Sequence, residues 1–109
     1  MNYNVKSINL FEKQTKRLII KYPSLKNELI QLVEELEVQP NQGISIGGNC
    51  YKIRLSIASK GKGKSGGARV ITNFVINNKT VYLLSIYYKS EKDNLTDTEL
   101  AALLALLPT

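Results

Sequence analysis

The chain has 109 residues, with 15 basic against 9 acidic side chains, a formal charge of +6 and 43% hydrophobic residues. That length and hydrophobic content fit one domain with its own core and exclude a disordered chain. There is one cysteine, Cys50, and no histidine, which excludes a disulfide framework, imidazole acid–base chemistry and histidine-ligated metal sites.

Tyr3–Ile8 alternates weakly and is read as a first strand. Asn9, with Glu12 three residues on, is read as the N-cap of a helix. That helix should end near Tyr22-Pro23, because the residue before proline disfavours helical backbone. Pro23 or Ser24 opens a second helix, in which Leu25, Leu29, Leu32, Val33 and Leu36 form one apolar stripe, and Pro40 closes it. Asn41–Asn49, broken by Gly43, Gly47 and Gly48, is read as a loop.

Tyr51–Ala58 alternates, with Tyr51, Ile53, Leu55 and Ile57 on one face and Lys52, Arg54, Ser56 and Ala58 on the other. That is a half-buried strand with a basic face. Ser59–Gly67 is a loop of glycine and lysine, Ala68–Ile76 a strand, Asn77-Asn78 a turn and Thr80–Tyr88 the returning strand. Thr96 caps a last helix, Glu99 completes a capping box, and Leu100, Leu103, Leu104 and Leu107 make its apolar face. The order β-α-α-β-β-β-α predicts an α+β fold in a single domain over residues 1–109, a small antiparallel sheet against an N-terminal helical hairpin. No apolar run reaches the roughly 18 residues that span a membrane, and Met1–Leu10 lacks the pattern of a signal peptide. A cytoplasmic protein without membrane contact is expected.

The charge is concentrated. From Tyr51 to Lys92, nine bases (Lys52, Arg54, Lys60, Lys62, Lys64, Arg69, Lys79, Lys89 and Lys92) stand against one acid, Glu91. Such a segment suits a polyanion, or is simply a solvated basic surface. Ala58–Ser65 fits a permissive phosphate-loop pattern, but Gly66-Gly67 and a β-branched run follow where that loop needs a helix, so nucleotide hydrolysis is rejected. Lys60, Lys62 and Lys64, alternating with glycines, suit a phosphodiester backbone; a solubilising hairpin tip is the other reading of the same loop. Lys52 and Arg54 share a strand face, Arg69 begins the next strand, Tyr87 and Lys89 lie two apart on the last, and Lys92 follows just beyond. Strand order lets them converge on the sheet face opposite the helical hairpin. These are polar strand or loop positions, so alanine at Arg54, Arg69 or Lys92 should cost no more than about 1 kcal/mol of stability.

Three runs carry a resemblance: Tyr51-Lys52-Ile53-Arg54-Leu55, the loop from Ser59 to Ile71, and the run from Val81 through Tyr87-Tyr88-Lys89-Ser90-Glu91-Lys92 to Thr96. They resemble the RelE/ParE toxins of type II toxin–antitoxin systems, most of all the RelE/HigB-like branch with a long basic loop between strands. The resemblance implies a ribosome-dependent endonuclease that cuts mRNA and stops translation, with no metal or other cofactor. It implies catalytic roles for Lys52, Arg54, Arg69, Lys89 and Lys92. RNA binding would fall to Lys60, Lys62 and Lys64, and to Tyr87 or Tyr88. The tyrosines enter because the position matching the family's C-terminal stacking tyrosine is near Thr96. The implied partners are the ribosome, mRNA and a cognate antitoxin that covers the Lys52/Arg54/Arg69 face or displaces the last helix; no small-molecule substrate is implied. ParE members, which poison DNA gyrase, share the fold without the cluster of bases, so a gyrase-type toxin and a non-catalytic RNA- or protein-binding module remain open alternatives.

Chemistry without histidine is reasonable. Attack of a ribose 2′-OH on the adjacent phosphate needs a base, stabilisation of the phosphorane and a neutralised leaving oxygen. Clustered cations favour a deprotonated lysine as base, and arginines offer fixed paired donors to the phosphorane oxygens. The 2′-OH requirement selects RNA over DNA.

Overall fold

The computed structural model describes residues 2–58, 66–92 and 94–108. In chain order its elements are β1 (Asn4–Ser7), α1 (Asn9–Lys21), α2 (Leu25–Val38), β2 (Ile44–Gly47), β3 (Cys50–Leu55), β4 (Ala68–Val75), β5 (Thr80–Tyr88) and α3 (Asp97–Leu104). A short 3₁₀ turn, Ile76–Asn78, joins β4 to β5. The α+β arrangement with a helical hairpin is as expected, and the strands form one sheet in the order β1-β5-β4-β3-β2. β1 runs parallel to β5 and every other pairing is antiparallel, so the sheet is mixed.

Two local readings need correction. The segment expected to be a loop, Asn41–Asn49, contains β2, which pairs with β3. Its glycines are the hairpin's turn: Gly48 and Asn49 both have φ of 59°, and the favoured two-residue hairpin turn needs two such left-handed residues in succession. Gly43 enters the same hairpin where an added Cβ would lie 2.5 Å from the Lys52 carbonyl oxygen. The second correction is the start of α1. The helix already includes Asn9, Ile8 takes the capping position without a side-chain bond, and Glu12 accepts from the Ser7 hydroxyl at 3.0 Å.

Helices cover both faces of the sheet. On one face Ile53, Val70, Phe74, Val81, Leu83, Ile86 and Tyr88 pack against Phe11 and Leu18 of α1 and the Leu25, Leu29, Leu32 and Leu36 stripe of α2. On the other, Cys50, Ile71, Leu84 and Tyr87 lie with Leu103 of α3, flanked by Leu100, Leu104 and Leu107. A bulge in β5 sets which residue faces which way. Ile71 pairs with Ser85 but the next residue, Thr72, pairs with Leu83, leaving Leu84 as the extra residue. Strict alternation from Leu83 would send Tyr87 to the helical-hairpin side. The slip instead gives that side Ile86 and Tyr88 and turns Tyr87 to the α3 side. Gln14 of α1 serves the bulge: its Oε1 accepts the Ile86 N–H at 3.0 Å and the Ser85 hydroxyl at 3.2 Å.

Candidate functional site

Arg54 on β3 stands opposite Arg69 on β4, and Arg69 stands opposite Tyr87 on β5. The three side chains therefore form one row across three strands, with Cα atoms of neighbours roughly 4.5–5.5 Å apart. Like charges directly opposite each other destabilise a sheet. The fold keeps this arginine pair against that repulsion, and an anion bound between them would offset it.

The row passes from solvent to interior. Arg54 is exposed. Arg69 is only 4% exposed, and its Nη1 donates to the Ala68 carbonyl at 3.1 Å. Arg69 is thus not the surface position that its place at a strand start suggested. The Tyr87 ring is buried too, and its hydroxyl has no hydrogen-bond partner among the described residues. Burial pushes the Tyr87 phenol above its ordinary pKa, while the Arg69 guanidinium pulls the other way. A buried hydroxyl without a partner, at the end of an arginine row, calls for a functional explanation.

Lys52 is half-buried and lies two residues from Arg54 on the same face. It lines a cavity of about 260 Å³ with Ile46, Asn94, Leu95, Asp97 and Leu100, where β2 and β3 meet the start of α3. With Arg54 it also borders an open groove of about 550 Å³, whose far wall includes Glu28 and Glu35 of α2. β2 pairs with β3 only as far as Lys52, so the strand edge beyond it is uncovered by β2.

The remaining expected residues divide. Lys89 is exposed in the turn after β5, with its N–H bonded to the Gly67 carbonyl at 3.2 Å beside the start of β4. Lys92 follows in the same turn, its ammonium paired with the Glu99 carboxylate of α3. Lys60, Lys62 and Lys64 lie outside the described residues. Tyr88 does not join the row. It is buried on the helical-hairpin side, edge-on to Tyr22 with ring centroids 5.0 Å apart, and the Lys21 ammonium sits 5.7 Å from its ring centre. Burial there, with Tyr22 and Glu91 nearby, pushes its phenol up to about 12. The structure thus brings Lys52, Arg54, Arg69 and Tyr87 to one face, sets Lys89 and Lys92 in the turn that continues β5, and separates Tyr88.

Sequence reading missed two contributors. Gln14 accepts two hydrogen bonds beside the bulge after which Tyr87 faces the α3 side, and nothing in its local sequence marks it. Glu99 was visible only as a capping residue, and its hold on Lys92 needs the fold of the turn before α3. Among the described residues no three His, Cys, Asp or Glu side chains gather where they could hold a metal ion. No described helix is long and apolar enough to cross a membrane.

Residues 7–107 match the family described as RelE toxin of the RelE / RelB toxin-antitoxin system. Among solved structures, the chain is similar to the isolated E. coli RelE toxin, with 19% identity and a TM-score of 0.52 over 96% of this chain and 99% of that one. It is also similar to a mutant E. coli RelE in the free state, with 19% identity and a TM-score of 0.54 over 85% and 90% of the two chains. The intact E. coli RelBE toxin-antitoxin complex matches with 20% identity and a TM-score of 0.48, covering 77% of this chain and 93% of that one.

Proposed function

The chain belongs to the RelE toxin family, and from that premise we propose that it is a ribosome-dependent endonuclease that cleaves mRNA. The observation that carries this reading is the in-register row Arg54–Arg69–Tyr87, with Lys52 beside it on one sheet face. Two guanidinium groups and a buried hydroxyl on one strip of sheet suit a phosphodiester that gains charge as it becomes a phosphorane.

In the proposed reaction the 2′-oxygen of one ribose attacks the neighbouring phosphorus as its O–P bond to the next 5′-oxygen breaks. The 2′-OH gives up its proton and the 5′-oxygen gains one. Arg54 and Arg69 supply fixed donors to the equatorial oxygens. Lys52, on the same sheet face, and Lys92, in the turn after β5, are the ammonium-bearing side chains assigned to proton transfer and to charge on the departing oxygen. The Tyr87 hydroxyl is buried beside Arg69 without a hydrogen-bond partner among the described residues, and it would donate to the phosphate or a ribose only where RNA binding opens the surface that covers it. Ring stacking on a base does not suit Tyr87, whose ring is covered, nor Tyr88, which faces the hairpin. The ribosome would hold the message in line for attack, an orientation that a small sheet does not supply. As a toxin of a toxin–antitoxin system it would be neutralised by a cognate antitoxin, with the basic face as the surface to be covered.

The test is direct. Purified protein added to translating ribosomes is expected to cut mRNA in the decoding site and to leave the same RNA, free of ribosomes, largely intact. Message left intact on translating ribosomes would refute the reading. Growth arrest that survives Arg54→Ala and Arg69→Ala together would point to a protein target instead.

A further inference from the structure

The Lys92 ammonium is held by a carboxylate that is itself held. Glu99 Oε2 pairs with Lys92 Nζ. Its other oxygen, Oε1, accepts the Thr96 N–H at 3.0 Å, and the Thr96 hydroxyl accepts the Glu99 N–H at 3.1 Å. One carboxylate thus closes the capping box of α3 and grips the lysine. At its other end, Lys92 donates its backbone N–H to the Tyr88 carbonyl at 3.1 Å, which ties its main chain to the last residue of β5. α3 in turn rests on Tyr87, Leu84, Ile71 and Cys50 through Leu103 and its leucine neighbours. The anchor of the lysine is therefore built on the same sheet face as the arginine row.

Both partners are partly open to water, with side chains 32% and 39% exposed, and an ion pair so exposed adds little to stability. Its effect is on position. A lysine carries four rotatable bonds, and restricting them during reaction is entropically costly unless the restriction already exists in the free protein. We propose that Glu99 is a positioning residue for Lys92: it fixes the ammonium in the turn that follows β5, against the first turn of α3, and does not itself touch RNA. This rests on the reading of Lys92 as part of the cleavage site.

The experiment measures single-turnover mRNA cleavage on programmed ribosomes with saturating protein, for wild type, E99Q, K92M and the double variant, alongside melting temperatures. Glutamine keeps an oxygen for the Thr96 N–H, so the capping box survives, but it removes the anionic partner of Lys92. E99Q is expected to melt near wild type and to cleave a few-fold more slowly, with an unchanged ribosome concentration at half-maximal rate. In the K92M background the same change should have no further effect. E99Q cutting at the wild-type rate while K92M is slow overturns the proposal and leaves Lys92 in the site. Wild-type cutting by K92M removes Lys92 from the site and the proposal with it. An equal loss from E99Q with and without Lys92 shows that Glu99 acts through α3, and that too overturns it.

Discussion

Arg54 and Arg69 stand opposite each other on neighbouring strands, yet alanine should affect them differently. Arg54 is exposed, so Arg54→Ala is expected to change stability by no more than about 0.5 kcal/mol while slowing cleavage on the ribosome roughly a hundredfold. Arg69 is buried and hydrogen-bonded, so Arg69→Ala should slow cleavage and also remove about 2 kcal/mol of stability. Thermal melts beside single-turnover rates separate the two, and equal melts would show that Arg69 contributes no packing. Tyr87 gives the opposite sign. Its hydroxyl is buried without a described partner, so Tyr87→Phe should leave stability unchanged or raise it by up to about 1 kcal/mol. Cleavage should still fall roughly tenfold, because the group lost is the one left over for the substrate. Tyr87→Phe at full activity would return the hydroxyl to packing alone. Tyr88 has a different signature. Its phenol is pushed up to about 12, chiefly by burial. Folding therefore holds the proton more tightly than the unfolded chain does, and the resulting stability is intact below about pH 10 and lost as pH rises toward 12. Denaturant midpoints between pH 10 and 12 should decline for wild type and decline less for Tyr88→Phe.

The β5 bulge is the feature that orders the site at the scale of elements. Gln14 Oε1 is the acceptor for the Ile86 N–H and the Ser85 hydroxyl, so Gln14→Ala leaves two groups beside the bulge without that partner and should cost about 1–3 kcal/mol. Because the bulge also turns Tyr87 to the α3 face, the same change should lower cleavage by more than the loss of folded protein explains; activity that tracks the folded fraction would confine Gln14 to stability. This bulge also marks a limit of what was legible in the sequence. The apolar periods of α2 and α3, the alternation of β3 and the hairpin β4–β5 could all be read, because each is a local pattern carried by neighbouring residues. The Thr96/Glu99 capping box could be read for the same reason. β2 could not, since its four residues lie between glycines that signal a break as readily as a turn. The parallel docking of β1 on β5 pairs residues more than seventy positions apart and leaves no local trace. In the site, strand order brought Arg69 near Lys52 and Arg54, while the direct pairing of Arg54 with Arg69 is a matter of register that only the structure supplies. The side taken by Tyr87 depended on a bulge that no period of two contains, and the burial of Arg69 depended on tertiary packing that its position at a strand start does not reveal.

For the whole molecule, the decisive property is where the positive charge lies. Nine bases and one acid fall between Tyr51 and Lys92, and only three acids and no base follow. The first turn of α3 carries two of those acids, Asp97 and Glu99, so the acidic C-terminal segment begins beside Lys52 and Lys92. A molecule polarised in this way should be drawn to a ribosome through many phosphate contacts, each releasing a counterion and each adding to the steepness with which affinity falls as salt rises. Lys60, Lys62 and Lys64 lie in the chain between β3 and β4, the strands that carry Arg54 and Arg69. Changing all three to glutamine removes three such contacts at most, so the logarithmic slope of ribosome affinity against salt should become shallower by up to about 2 to 3. Cleavage at saturating ribosomes should change little, because the arginine row is untouched. Association measured from low to moderate salt decides the matter. An unchanged slope assigns these lysines to solubility, whereas a shallower slope with a preserved saturating rate shows that the protein divides its charge between the segment that captures the ribosome and the sheet face that performs the chemistry.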